Sequence, residues 1–381
     1  MLWAVRLAII LTFSSVLASG TAQTHVKRAQ CAATLQTAID RANSLQNHWF
    51  NKNGTGQYQD GSLWTDANAF EDLHNLMLGA NNNAWSNLAE TSFIGRLALA
   101  GGSTNWNAVL AGSNDDAEWI ILSLWKMADY KYARGLDGSP YVNAASTIYN
   151  IVAQEWDTSV CGGGVWWSKA HTYKNAITNE LFLYVSASGY LRFKTQNFLD
   201  NANKVWAWLS ASGMRNADGL WNDGLTSDCK NNGQTTWTYN QGVIASGLAA
   251  LYVARGSTDS TLLDQAEITL NATISRLTVN GILKESCDNP VNSSCNHDQQ
   301  LFKGIWTKHL QFYLDNAGSR ASRFQNFLGA QLSAIFHYGT NANGDIGNVW
   351  YAPSQGGSIF SPESSTSGIA GLVAAAKYGP C

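Results

Sequence analysis

Asp218-Gly219-Leu220-Trp221 decides the fold, because this Gly/Asn-rich turn running into an aromatic residue recurs along the whole chain. Its counterparts are Gly61-Ser62-Leu63-Trp64, Thr104-Asn105-Trp106, Gly164-Val165-Trp166-Trp167, Asn280-Gly281-Ile282-Leu283 and Asn348-Val349-Trp350-Tyr351. With Trp64, Trp106, Trp166, Trp221, Leu283 and Trp350 as markers, the spacings are 42, 60, 55, 62 and 67 residues, room for two helices in each interval. Between the markers the apolar pattern has the helical period and strand alternation is scarce. The pattern predicts twelve helices, near 31–50, 66–81, 83–101, 114–134, 140–156, 172–192, 195–211, 236–255, 258–276, 298–316, 319–338 and 364–377. Pro140 suits a first helical turn, and Gly135, Gly213 and Gly256 fall just past helix ends. Short connections alternate with long ones, as expected of a repeat of helical hairpins. Six such hairpins closed on themselves make an all-α toroid, an (α/α)6 barrel. A closed ring also explains how a chain of this length holds one core, since single cores usually stop growing at a smaller size.

The N-terminus has a different character. A single positive charge in Met1–Arg6, the apolar run Leu7–Phe13 and the small residues of Ala18-Ser19-Gly20 read as a secretory signal peptide over 1–20. Lys27-Arg28 reads either as a dibasic site closing a short propeptide, 21–28, or as a surface dipeptide; the catalytic domain is then 29–381. No later stretch is long and apolar enough to span a bilayer, and the C-terminus lacks the hydrophobic tail of a lipid-anchor signal. A secreted, extracellular protein without a membrane anchor is expected, and as a monomer.

The six cysteines show no metal-ligand spacing, so disulfides are expected. Cys287–Cys295 is the natural local loop, Cys31–Cys381 would tie the ends together if they are neighbours, and Cys161–Cys229 would remain. Asn53, Asn271 and Asn292 each begin a glycosylation sequon. Asn341-Ala342-Asn343-Gly344-Asp345 lacks the glycine of a calcium loop at its sixth position, where Ile346 stands, and reads as an ordinary turn. No metal or cofactor is expected. Only 13% of residues are charged and the formal net charge is −3, which leaves no basic surface for phosphate neutralisation and excludes nucleic acid as a partner. Sixteen Trp and fourteen Tyr beside neutral amides suit a neutral, hydroxyl-rich ligand such as a sugar.

If the long loops share one face, the helices that follow them start there too. Those starts are Thr65-Asp66, Asn114-Asp115-Asp116, Thr172–Asn175, Thr236–Gln241, His297–Gln300 and Ser364-Ser365-Thr366. Capping explains one polar residue per start; clusters such as Tyr239-Asn240-Gln241 exceed that need. Asp115 and Asp116 stand at the head of a long apolar helix. A first-turn acidic pair is a common helix start, but over an aromatic cleft it is also the apparatus of glycoside hydrolysis. One carboxylate attacks or stabilises the sugar cation while the other, protonated, donates to the leaving oxygen. Close like charges resist joint ionisation and so divide these roles. Adjacent residues fit the short carboxyl separation of a retaining enzyme better than the wider inverting gap. For this, the first aspartate is expected to keep non-helical dihedrals so that both lean over one cleft. Gly-x-Ser-x-Gly and His-Glu-x-x-His motifs and phosphate-cradling loops are missing.

Several stretches together resemble glycoside hydrolase family 76, the endo-α-1,6-mannanases: Asn114–Trp119, Cys161–Trp167, Tyr173–Leu181, Asn222–Leu225, Thr236–Gly242 and Phe302–Ile305. They fall in family order across nearly the whole chain. The resemblance implies an (α/α)6 barrel and retaining cleavage of internal bonds in α-1,6-linked mannan or mannooligosaccharide. It makes Asp115 the nucleophile and Asp116 the general acid/base. Family members usually carry an aromatic pair after the aspartates; here Glu118 replaces one member, and an outward-facing Glu118 is expected. Candidates for binding mannose are Asp66, Asn114, Asn179, Glu180, Asn222, Asp223, Tyr239, Asn240 and Gln241, with Trp119, Trp166, Trp167 and Trp221 as stacking platforms; each also has a capping or packing explanation. Two other functions fit the same residues: a transglycosidase that passes the covalent intermediate to a sugar, and a mannan-binding protein without turnover.

Overall fold

The chain forms an inner ring of six helices inside an outer one, as the recurring turns require. The computed structural model describes residues 30–110 and 112–381; the signal-peptide and dibasic-site readings lie outside them. In chain order the barrel helices are α1 (Ala32–Trp49), α2 (Leu63–Ala80), α3 (Phe93–Leu99), α4 (Asn114–Ala133), α5 (Ser139–Ala153) and α6 (Ala176–Phe193). They continue with α7 (Gln196–Ala211), α8 (Thr238–Ala254), α9 (Thr261–Arg276), α10 (His297–Asn316), α11 (Gln325–Ala334) and α12 (Pro362–Tyr378). The even-numbered helices each touch the next and α12 touches α2, which closes the ring. Each is enclosed almost all round: in α8, fourteen of seventeen residues are buried, whereas α7 buries only Phe198, Asn201, Ala202, Val205 and Leu209, a single stripe.

Glycines set how closely the inner helices meet. A Cβ on Gly304 of α10 would lie 2.2 Å from Cα of Ser367 in α12, and one on Gly242 of α8 would lie 2.7 Å from Cα of Trp306 in α10. Polar groups cross the interior as well: Lys308 Nζ of α10 reaches Asn68 Oδ1 at 2.7 Å and Glu71 Oε2 at 2.6 Å, both on α2. Buried charges persist only when paired in this way. All three expected disulfides are present, Cys31–Cys381, Cys161–Cys229 and Cys287–Cys295. No helix among the described residues is long and apolar enough to cross a membrane.

Three helices depart from the expected spans. The run 83–101 breaks into Leu88–Thr91 and Phe93–Leu99, because Ser92 is extended and its hydroxyl caps the second piece at Gly95 N–H. The run 319–338 is a 3-10 turn, Gly318–Phe324, then α11, then a wider π turn over Ile335–Gly339. The sixth helix begins at Ala176 rather than 172, with Asn175, itself extended, as its cap.

The long loops gather on the face where the inner helices begin. Isolated strand-like pairings tie them to one another, Ser113 to Ser168 and Asn175 to Gly224. The 280s loop forms a two-residue hairpin, Thr278-Val279 with Ile282-Leu283.

Candidate active site

Five of the six inner helix starts contribute to one cleft of about 260 Å³. Its lining is Trp64, Ser113, Asp115, Asp116, Trp119, Trp167, Tyr173, Asn175, Asp223, Tyr239, Asp298 and Phe302, six aromatic rings and four carboxyl groups without a Lys or Arg. The convergence follows from the sequence repeat: each long loop delivers the next inner helix to the same rim, N-terminus first. The partial positive charge of those N-termini favours anionic groups there.

Asp115 and Asp116 lie in the first turn of α4, both with helical backbone, and Ser113 occupies the N-cap position. This corrects one expectation: the first aspartate does not step outside the helix. Ser113 makes no side-chain cap to the helix; its hydroxyl instead hydrogen-bonds the aspartate pair. The backbone N–H of Asp116 donates to Asp115 Oδ1 at 3.2 Å. Gly112 packs beside the second carboxyl, where a Cβ would sit 3.2 Å from Asp116 Oδ2.

Burial pushes both carboxyls up, and they titrate as a pair. Asp115 goes to about 6, held back by the Ser113 hydroxyl and the Asp116 N–H. Asp116 goes to about 8, because the neighbouring Asp115 charge adds to its own desolvation. Between these values one carboxyl is ionised and its neighbour carries a proton, the division a glycosidase needs.

The walls are aromatic. Trp64 and Trp119 lie 6.2 Å apart at 33°, and Tyr239 stacks on Phe302 at 3.9 Å and 8°. Trp167 meets Tyr173 edge-on at 6.4 Å and is 40% exposed, free to take a ligand on the rim. The Tyr173 hydroxyl donates to Asp223 Oδ2 and accepts from Asn232 Nδ2. The Trp64 side chain hydrogen-bonds Asp298. Tyr173, Asn175, Phe302, Trp64 and Asp298 were not singled out as binding residues by the sequence. Their signal was present in the polar or aromatic character of the helix starts and flanking turns, without a motif to separate them from packing.

Of the candidates named from sequence, Asp115, Asp116, Trp119, Trp167, Asp223 and Tyr239 line the cleft. The others lie behind it. Asn114 Nδ2 donates to Trp166 O at 2.8 Å, and Asn179 clamps Val165 through both its N–H and its C=O. Asn222 Nδ2 donates to Gln234 O, and Gln241 grips the backbone of Trp221 at both ends of its amide. These amides satisfy buried loop backbone, which otherwise costs free energy, so they hold the loops rather than a ligand. Trp166 is buried, stacked on His171 and covered by Lys174 Nζ at 4.5 Å. Trp221 is buried and its indole N–H donates to Thr269. Asp66, Glu180 and Asn240 are buried beneath the cleft, and their side-chain polar atoms have no hydrogen-bond partner among the described residues.

Glu118 also faces inward, contrary to the outward orientation expected. It is fully buried one helical turn behind Asp115, and neither oxygen has a hydrogen-bond partner among the described residues. Burial, with the Asp115 charge in support, holds its carboxyl well above the usual range. Asp66 is pushed up to about 8 by burial, with a further push from Glu363.

Among the described residues one group of Cys, Asp, Glu or His side chains is close enough to share an ion, Cys287, Asp288 and Cys295, and its two sulfurs are joined in a disulfide.

A ring of paired helices with an acidic, aromatic cleft over the inner N-termini is the architecture of a carbohydrate-acting (α/α)6 protein. The family profile described as Glycosyl hydrolase family 76 matches residues 29–376, and the chain belongs to that family. A Schizosaccharomyces pombe relative is 29% identical over 252 residues, 63% of this chain and 56% of that one. The mannan endo-1,6-alpha-mannosidase DCW1 of Saccharomyces cerevisiae is 28% identical over 210 residues, 52% of this chain and 45% of that one. The chain thus spans about half the length of these curated relatives. Among solved structures, an inactive variant of the α-1,6-mannanase GH76A of Salegentibacter sp. HEL1_6, with two aspartates changed to asparagine and α-1,6-mannotriose bound, superposes with TM-score 0.75. It is 19% identical and the match covers 90% of this chain and 99% of that one. The fold likeness establishes the barrel.

Proposed function

We propose that this protein is a secreted endo-acting glycoside hydrolase that cleaves α-1,6-mannosidic bonds of mannan with retention of configuration. The observation that carries this reading is the Asp115–Asp116 pair, set side by side in a cleft walled by six aromatic rings, with carboxyls poised for opposite protonation states. Family membership and the names of the relatives supply the linkage and the sugar.

In the proposed reaction the ionised Asp115 attacks the anomeric carbon from one face of the mannosyl ring. Asp116 gives its proton to the glycosidic oxygen as that bond breaks, leaving a mannosyl ester on Asp115 and a free acceptor chain. The now ionised Asp116 takes a proton from water, and the hydroxide displaces Asp115 and regenerates the pair. Ser113 and the Asp116 N–H stabilise the Asp115 carboxylate by hydrogen bonds. The stacked Tyr239–Phe302 pair and Trp64–Trp119 offer flat faces to the sugar rings.

Export is supported by the three disulfides, which persist in oxidising compartments. It is also supported by the exposure of all three sequon asparagines, Asn53, Asn271 and Asn292.

The test is direct. Asp115→Asn and Asp116→Asn are each expected to lower hydrolysis of unbranched α-1,6-mannan by about 10²–10⁴. Near-normal turnover by both variants would overturn the assignment.

A further inference from the structure

A second pocket, of about 570 Å³, lies between the C-terminal half of α7 and the loops joined by the Cys161–Cys229 disulfide. Helix α7 turns Phe198, Ala202, Val205 and Leu209 to the core. A second stripe, Lys204, Ala207, Trp208 and Ala211 at i, i+3, i+4 and i+7, lines this pocket instead. Trp208 packs against the edge of the core and turns its remaining surface to this pocket. It stands at 76° to Trp156, ring centroids 6.5 Å apart, and both indoles are half-buried. Thr158 and Ser212 add hydroxyls, and no carboxylate lines the pocket.

The loop is shaped to Trp208. A Cβ on Gly163 would lie 2.7 Å from Trp208 Cδ1 and one on Gly164 2.8 Å from its ring. Both glycines have positive φ, which a side chain would strain. The indole N–H is held by Cys161 O at 2.9 Å. Fixed in this way, Trp208 presents a preorganised wall.

The same loop forms part of the catalytic cleft. Buried Lys174 donates to the carbonyls of Asp157, Val160 and Gly163, while its neighbours Tyr173 and Asn175 line the cleft. Two aromatic faces, hydroxyls and a loop tied through Lys174 to the cleft wall suit a stretch of neutral polysaccharide more than a charged or purely apolar ligand. We infer that this pocket is a secondary binding site for a distal segment of the α-mannan chain whose nearer part occupies the catalytic cleft. The inference rests on the mannanase reading for the identity of the sugar. Lys204 Nζ, 4.3 Å from the Trp156 ring, is an exposed side chain that can swing aside when a sugar docks.

The test fills the pocket without touching the cleft. Ala207→Leu/Ala211→Leu adds bulk at two exposed positions of the stripe; Ala211→Leu alone, the smaller change, guards against a folding defect. Hydrolysis of long α-1,6-mannan is compared with that of mannotetraose, and retardation of each protein is measured in mannan-containing native gels. Filling is expected to lower kcat/KM on the long polymer by about 3- to 10-fold, the worth of one aromatic contact. Retardation should weaken while mannotetraose cleavage stays unchanged. Equal effects on long and short substrates in both variants, or none on either, would overturn the secondary site. If the wild type cleaves neither substrate, the mannanase reading falls, and the gel still decides the pocket: retardation absent in the wild type, or undiminished in both variants, overturns it.

Discussion

The backbone N–H of Asp116 donates to Oδ1 of Asp115, 3.2 Å away, so one residue of the pair steadies the charge of the other. This contact exists because both lie in the first turn of α4, where backbone N–H groups have no intrahelical acceptor. The same turn buries Asp116 beside that charge and discourages its ionisation.

Activity should therefore show a bell-shaped pH profile. The proposed reaction needs Asp115 ionised and Asp116 protonated, so turnover is expected to rise through about pH 6 and fall through about pH 8. Asp116→Asn should remove the alkaline limb along with most of the rate. An alkaline limb retained in that variant would assign it to another group.

Stability should run the opposite way from that of most proteins near neutrality. The carboxyl of Asp66 is raised to about 8 and that of Glu285 to about 7 by burial, against about 4 in an unfolded chain. From pH about 4 upward the folded state holds protons that the unfolded state has released, so stability falls as pH rises through the folded values. Thermal melts between pH 4 and 8 are expected to give the highest Tm at the acid end. A Tm that climbs toward pH 8 would contradict this.

Glu118 isolates part of that effect. Glu118→Gln keeps the shape of the neutral acid but cannot ionise, so it is expected to match the wild type near pH 4–5 and exceed its Tm at pH 8. Equal pH dependence in the two proteins would show that the buried carboxyl does not contribute.

Gly304→Ala probes the ring itself. The added methyl would sit 2.2 Å from the Ser367 backbone, which cannot yield as a side chain can. A loss of about 3 kcal/mol, read as a lower urea midpoint, is expected from overpacking of this kind. An unchanged midpoint would mean that α10 and α12 separate without cost.

At the cleft rim, Trp167→Ala removes a side chain that is 40% exposed. It is expected to raise KM for mannooligosaccharides several-fold while leaving Tm and kcat near their original values. A fall in Tm instead would identify Trp167 as a packing residue.

The ring was legible because its repeat is long-range. Trp64, Trp106, Trp166, Trp221, Leu283 and Trp350 mark turns that recur whatever lies between them. Helix ends were less so: Ser92 breaks a run whose apolar spacing looks continuous, and only its cap on Gly95 reveals the break. In the site, polarity at a helix start could not distinguish a side chain facing the cleft from one holding a loop. Asn179 and Gln241 sit in family-like motifs, yet their amides are spent on Val165 and Trp221 backbone. Asp298 and Trp64 meet across the cleft although more than two hundred residues separate them, a relation no local pattern carries. Glu118 misled for a related reason: a charged residue reads as surface, but inner helices of a closed ring have almost no surface.

The most direct test of the account is the configuration of the first product. Proton NMR of freshly mixed enzyme and α-1,6-mannopentaose, recorded before mutarotation, should show new reducing ends in the α form, as double displacement through Asp115 requires. Initial release of the β anomer would contradict the assignment of Asp115 as nucleophile, and an intact pentaose would contradict the mannanase reading itself.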